Sequence, residues 1–207
     1  MSTSRERAYH HGALKAALLD AADALLDEGG AGAVSLREAA RRAGVSATAP
    51  YRHFADKEAL LAALATRGFE QFGAALDEAA RDASDPLAAM GLAYVRFALA
   101  RPGRFRLMFG PGIDRSRFPE LQAAAARAFE RLVAGVEANP RPGREPDAGH
   151  EPDAGREPDA DRNARTGAIA AWALVHGLAQ LFLDGMLPGR DPEALVRAIA
   201  RRTPPDG

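Results

Sequence analysis

Apolar positions recur every three to four residues along most of the chain, and no useful length alternates with a period of two. That spacing predicts helices, because side chains at i, i+3 and i+4 share one face. Leu14, Leu18, Ala21 and Leu25 stripe a first helix that runs into "EGGAGAV", where Gly29 or Gly30 can take the left-handed C-cap. Ser35 caps a short second helix, and Glu38 completes a capping box. The apolar face of that helix is Leu36, Ala39, Ala40 and Ala43, and Gly44 stops it. Ser46 can cap a third helix. Asp56 caps a fourth, whose core side runs Leu61, Leu64, Phe72 and Ala75 to about residue 81. Further helices are predicted at about 85–100, 102–109, 117–138, 164–187 and 191–202, with Pro86 and Pro192 in first-turn positions. The pattern is all-α, with about nine helices.

One stretch breaks the pattern. From 143 the chain repeats "GREPDA", "GHEPDA", "GREPDA", with alanine as the only apolar residue of each unit. Such a segment cannot bury enough surface to offset its ordering entropy, so 139–163 reads as a disordered loop. Its single His150 does not make a metal site.

Composition and charge narrow the function classes. The 207 residues, 47% of them hydrophobic, suffice for one or two globular domains with a real core. The absence of cysteine excludes disulfides, zinc–thiolate sites and a thiol nucleophile. The N-terminal segment lacks a signal-peptide core, which points to a cytoplasmic protein. The segment 168–187 is long enough to span a bilayer, but it carries His176, Gln180 and Asp184. Polar groups at membrane depth are costly, so it reads as a buried helix of a soluble protein, with no membrane partner. It is apolar nearly all round, which suits a helix facing its own core on one side and a partner subunit on the other. The net charge of −1 hides a local bias. Between 35 and 57, Arg37, Arg41, Arg42, Arg52 and Lys57 face only Glu38 and Asp56, a balance of +3. Asp20, Asp23, Asp27 and Glu28 lie just upstream.

An enzyme is not indicated. His10, His11, His53, His150 and His176 form no ligand spacing, and "GGAGAVS" lacks both the third glycine of a dinucleotide loop and a preceding strand. No catalytic residue, cofactor or metal is expected. A helical dimer acting only through protein contacts is disfavoured by the basic patch around Lys57.

Two short helices joined at Gly44, Val45 and Ser46 form the helix-turn-helix pattern, whose second helix enters the major groove. The stretch "SLREAARRAGVSATAPYRHFADKEALLAAL" is also similar to the signature of the tetracycline-repressor (TetR) family of bacterial transcription regulators. Ser35, Ala39, Ala40, Ala43, Gly44, Val45, Ser46, Tyr51, His53, Phe54, Lys57 and Leu60 fill the signature positions. "RPGRFRLMFGPG" and "WALVHGLAQLFLDG" resemble the ligand-domain elements of a subgroup named for a Trp/His/Gly motif, here Trp172, His176 and Gly177.

The resemblance implies an arm over 1–10, a DNA-binding domain over 11–58 and a regulatory and dimerisation domain over 59–207. It implies that Ser35, Arg37, Ser46, Ala47, Thr48, Ala49, Tyr51, Arg52, His53 and Lys57 meet double-stranded DNA at a palindromic operator. Lys57 and Tyr51 match the family's phosphate-contacting residues. Thr48 and Arg52 have the chemistry to read base edges, while Ala47 and Ala49 are small, which shifts specificity toward DNA shape. Pro50 pushes Ala49 away from α geometry, so the recognition helix is expected to be short and irregular at its start. Of the aromatic and ionisable residues of the second half, Phe97, Phe105, Met108, Phe109, Trp172 and His176 are the candidate contacts to a small-molecule effector; Tyr94 and Phe182 are weighed beside them. The implied activity is that of a homodimeric regulator, a repressor released by its effector. Activation and ligand-independent binding are the alternatives.

Overall fold

The computed structural model describes residues 3–138 and 159–202, so most of the repeat segment 139–163 lies outside the described residues. The described residues form eight α-helices and two short 3₁₀ turns, with no strand among them. The helices are α1 (Thr3–Ala33), α2 (Leu36–Arg42), α3 (Lys57–Ala80), α4 (Pro86–Ala100), α5 (Pro102–Phe109), α6 (Pro119–Glu137), α7 (Asp159–Leu183) and α8 (Pro192–Arg202). The all-α class holds. Helix α1 begins at Thr3, so the segment expected as an arm enters as its first turns, in keeping with good helix formers there. The helix breaks at Gly30, whose φ of 67° is the left-handed conformation expected of the C-cap.

By packing, the chain divides into two compact units. The first combines Met1–Glu70 with Arg101–Ala125, and the second combines Gln71–Ala100 with Ala126–Gly207. This division does not follow the 58/59 boundary, because α5 and the start of α6 pack with the N-terminal helices.

In the first unit, Leu18, Leu26, Val34, Leu60 and Leu64 are fully buried. Each such side chain stabilises the fold by about 1.5–3 kcal/mol. Ser35 caps α2 as expected, its hydroxyl accepting from Glu38 N at 3.1 Å. At the other end, Gly44 takes φ 68° and Val45 N donates to Ala40 O at 3.0 Å, a closure that needs a residue without a Cβ. Asp56 caps α3 through Ala59 N at 2.8 Å.

The third predicted helix is the largest local difference. Ser46 caps no helix; Thr48 instead precedes a four-residue 3₁₀ turn, Ala49–Arg52. Pro50 is the physical reason. It has no N–H for an α-helical ladder, it is buried, and its carbonyl takes both His53 N and Phe54 N at 2.9 Å. The expectation of a short, irregular recognition element is met in a stronger form.

Helix α5 docks on α1 through two features. A Cβ on Gly103 would lie 2.6 Å from Leu26 O, so only glycine permits this approach. Beside it, the Arg104 guanidinium, 2% exposed, grips the Asp23 carboxylate, 8% exposed, with Nε donating to Oδ1 at 3.1 Å and Nη2 to Oδ2. Arg101 adds ion pairs to Asp23 at 3.6 Å and Asp27 at 3.5 Å.

In the second unit, α4 packs on α7 and α8. Tyr94, Val95, Leu76, Met90 and Ala179 are buried. Segment Ala164–Leu183 of α7 is long and apolar enough to cross a membrane. The reading of this helix as buried does not hold on all sides: Ile169, Leu174 and Leu181 are 55%, 49% and 45% exposed. Leu174 and Leu181, seven residues apart, project from one side, while Ala168 and Ala179 face the core.

The buried ion pair yields a test. Arg104→Met leaves the buried Asp23 carboxylate with only the long Arg101 pair and should cost about 3 kcal/mol in urea unfolding. The double variant Asp23→Leu/Arg104→Met should recover most of that loss, since it leaves no buried charge without a counterion. A single-variant loss below about 1 kcal/mol would show that the pair is not a structural tie.

Candidate functional site

The residues around the Gly44 turn form the first candidate site. Exposed there are Arg37, Ser46, Ala47, Thr48, Tyr51, Arg52 and Lys57, with Ser35, Ala49 and His53 half-buried. Phe54 is buried and anchors the turn in the core. The +3 charge count of the sequence overstates what is available. Arg41 is held by Glu38 through two hydrogen bonds of 2.9 and 2.6 Å, and Arg42 by Glu28 through two of 2.7 and 2.8 Å. The guanidinium hydrogen bonds hold both carboxyls below the usual carboxylate range.

Arg37 and Arg52 form no ion pair among the described residues. Lys57 Nζ donates to Gly32 O at 3.4 Å, a long bond that leaves its charge unneutralised. Tyr51 is 53% exposed, unusual for a large aromatic with no core role. The cationic and aromatic groups that remain free for an anionic partner are therefore among those singled out from the sequence. Ser46 and Thr48 hydroxyls lie 3.2 Å apart and share a hydrogen bond. The Ser35 hydroxyl accepts from Glu38 N and retains its O–H as a donor.

The start of α3 is braced from the α5–α6 connection. Asp114 N donates to Glu58 Oε1 at 3.0 Å, and Arg117 pairs with Glu58 and, at 3.6 Å, with Asp56. Sequence reasoning missed this brace and the Asp23–Arg104 pair. An arginine within the apolar run "RFRLMF" was the one available signal.

The second candidate site is a cavity of about 310 Å³ in the second unit, formed by α4, α7 and α8 with Leu132 of α6. Its wall includes Leu87, Met90, Tyr94, Leu174, Val175 and Val196. None of Phe97, Phe105, Met108, Phe109, Trp172 and His176 lines it. Phe105 and Met108 are 1% exposed in the core of the first unit, and Phe109 stacks on Phe69 and Phe105 at 5.3 and 4.8 Å. Phe97 packs on Phe72 at 5.2 Å. Aromatics at helical spacing here fill core.

Trp172 and His176 do share a face of α7, and that face meets Tyr94. Trp172 Nε1 donates to the Tyr94 hydroxyl at 3.0 Å, and the same hydroxyl lies 2.8 Å from His176 Nδ1. Burial pushes the Tyr94 phenol up and the His176 imidazole down, so both are neutral at pH 7. A neutral His176 carrying its proton on Nε2 accepts from Tyr94, which completes a chain from Trp172 through Tyr94 to His176.

That chain has consequences for stability. Tyr94→Phe removes the hydroxyl that both Trp172 and His176 bond, and should cost about 1 kcal/mol in urea unfolding. The His176 contribution depends on pH with a fixed sign. Its native pKa lies below the unfolded value of about 6.5, so the unfolded chain takes up the proton first. Stability from this group is complete above that value and is lost as pH falls through the depressed native pKa. Thermal unfolding of the wild type should therefore decline more steeply below pH 6.5 than that of His176→Gln. Parallel profiles would remove the assignment.

Comparison with known proteins places this geometry in a family. The model of the tetracyclin repressor-like C-terminal domain matches residues 87–203, and that of bacterial regulatory proteins of the tetR family matches residues 18–64. An HTH-type transcriptional regulator of Mycobacterium tuberculosis is 28% identical over 123 residues, which cover 54% of this chain and 52% of that protein. The chain thus spans about half the length of the curated relatives it matches. A protein of unknown function from Rhodococcus sp. RHA1 superposes with a TM-score of 0.73 at 35% identity, covering 93% of this chain and 94% of that one. The transcriptional regulator FadR from Bacillus subtilis, solved in complex with stearoyl-CoA, shares the fold at a TM-score of 0.64 and 14% identity, over 89% and 94% of the two chains. With more than half its length matched by the C-terminal model and its helix-turn-helix by the N-terminal one, the chain belongs to the tetracycline-repressor family of bacterial regulators.

Proposed function

We propose that this chain is a sequence-specific DNA-binding transcription regulator that works as a homodimer and leaves its operator when a small molecule binds its second unit. The observation that carries the reading is the set of exposed groups at the Gly44 turn. Among the described residues, Arg37, Arg52, Lys57 and Tyr51 pair with no carboxylate, while neighbouring Arg41 and Arg42 are neutralised. Phosphates are the partners that such groups fit, with Arg as a fork and Lys as a point charge.

Within this reading, Ser35, Arg37, Tyr51 and Lys57 hold the DNA backbone. Lys57 sits at the first turn of α3, where free N–H groups and the helix dipole favour an anion. Ser46, Ala47, Thr48, Ala49, Arg52 and His53 face the bases. A two-fold dimer requires half-sites of a palindrome about 34–36 Å apart. The exposed Ile169, Leu174 and Leu181 of α7 offer the apolar surface for the second copy. A cytoplasmic location follows from a chromosomal target. Repression is the expected direction of control.

The test is DNA binding by the purified protein to the region upstream of its own gene, followed by anisotropy as a function of salt. Lys57→Ala should weaken binding to all sequences alike and lower the salt slope by about one unit per subunit. Arg41→Ala should leave the slope unchanged, because Glu38 already neutralises that guanidinium. Thr48→Ala should relax preference at one position of each half-site. Wild-type salt dependence in Lys57→Ala would overturn the assigned role.

A further inference from the structure

Two acids flank the lysine that starts α3, at the edge of the exposed cationic set. Asp56 caps the helix and Glu58 follows Lys57, so on its own this turn carries two negative charges against one positive. A helical turn rises only about 5.4 Å, and charges within about 10 Å of one another act together at about 0.1 M salt. A DNA phosphate approaching Lys57 would therefore meet both carboxylates as well as the ammonium.

A single residue from far along the chain ties those carboxylates off. Arg117 Nη1 donates to Glu58 Oε2, and Nη2 lies 3.6 Å from Asp56 Oδ2. The remaining oxygen of each acid accepts from backbone: Glu58 Oε1 from Asp114 N at 3.0 Å, and Asp56 Oδ1 from Ala59 N at 2.8 Å. Among the described residues no other cation pairs with either acid. The guanidinium is itself held in place. Asp114 caps the 3₁₀ turn Arg115–Arg117 through Ser116 N at 3.1 Å and Ser116 Oγ at 2.6 Å, and Arg117 N donates to Asp114 O at 3.2 Å. The guanidinium also stands over the Phe118 ring, 5.4 Å from its centroid. Arg117 and Asp56 are 52% and 50% exposed, so their pairing contributes little to stability. What such a pair does at a binding rim is set the local field.

We propose that Arg117 is a positioning residue of the DNA-binding face: by tying off Glu58 and Asp56 it lets a backbone phosphate settle beside Lys57. The inference rests on the DNA-binding reading above and adds to it a residue that the Gly44 turn does not contain.

The experiment measures anisotropy of a labelled upstream duplex, and of an unrelated duplex of equal length, with full-length protein at about 50 and about 300 mM KCl. Arg117→Gln should weaken both duplexes by about threefold at the lower salt, the effect of one unit charge acting across several ångströms of water. The higher salt should shrink that difference. Glu58→Gln keeps an oxygen for Asp114 N but drops the charge, so it should strengthen binding by a similar factor. The double variant Glu58→Gln/Arg117→Gln has the wild-type net charge and should bind within about twofold of wild type. Arg117→Lys should stay close to wild type. A purely mechanical tie gives the opposite pattern: both single variants break one contact, both weaken DNA, and the double recovers nothing. That pattern, or unchanged affinity in Arg117→Gln, overturns the inference while the regulator reading stands. Absence of DNA binding by the wild type overturns both. Circular dichroism melting checks folding; if Arg117→Gln unfolds, the sign of the Glu58→Gln effect decides alone.

Discussion

The first unit is organised by one buried ion pair, Asp23 with Arg104. Removing two charges from water costs several kcal/mol each, and the cost is offset only when a fork meets a carboxylate in good geometry. An apolar contact between α1 and α5 would tolerate a slide of an ångström or a rotation of some degrees. A bidentate guanidinium does not. Gly103, one residue earlier, lets the α5 backbone come close enough to Leu26 O for the fork to reach. The pair therefore fixes the register of α5 on α1 and makes α5 part of the unit that carries the Gly44 turn.

From there a series of local ties reaches the exposed cations. The connection after α5 brings Asp114 and Arg117 onto Glu58 and Asp56 at the start of α3. Glu28 of α1 holds Arg42 of α2, and the Schellman-type closure at Gly44 sets where the chain leaves α2. The 3₁₀ turn Ala49–Arg52 has little strength of its own, since such turns bond poorly. Buried Pro50 and Phe54 hold it from below. Positions of Thr48, Tyr51 and Arg52 are thus imposed by the scaffold rather than by an intrinsic helix.

This explains what was legible in the sequence. Caps and breaks are local: Ser35, Gly30, Gly44 and Asp56 act within four residues of themselves, so their roles could be read directly. Pro50 announced an irregular turn for the same reason. The Asp23–Arg104 pair joins residues 81 positions apart, and nothing near Asp23 distinguishes it from the solvated Asp20 or Asp27. Helical spacing put Trp172 and His176 on one face, but Tyr94, which both of them bond, lies on another helix. Phe105, Met108 and Phe109 looked like a pocket wall because periodicity identifies an apolar face without saying what covers it. Here the face fills the core around α1 and α5.

The path of the chain then constrains how an effector could act. The cavity wall includes Tyr94 of α4, and α4 ends at Ala100, where the second unit gives way to the first. Only Arg101 separates α4 from α5. Its φ of −140° and ψ of 71° are not helical, and Pro102 behind it keeps the two helices from fusing. A ligand can move an equilibrium only by its differential affinity for two states, typically 1–3 kcal/mol. Breaking the Asp23–Arg104 pair would consume more than that. Arg101 is itself about half exposed, and its pair to the equally exposed Asp27 can be exchanged for water at little cost. The rigid tie and the soft joint lie three residues apart, so strain at the α4–α5 connection is released at Arg101 before the Asp23–Arg104 pair gives way.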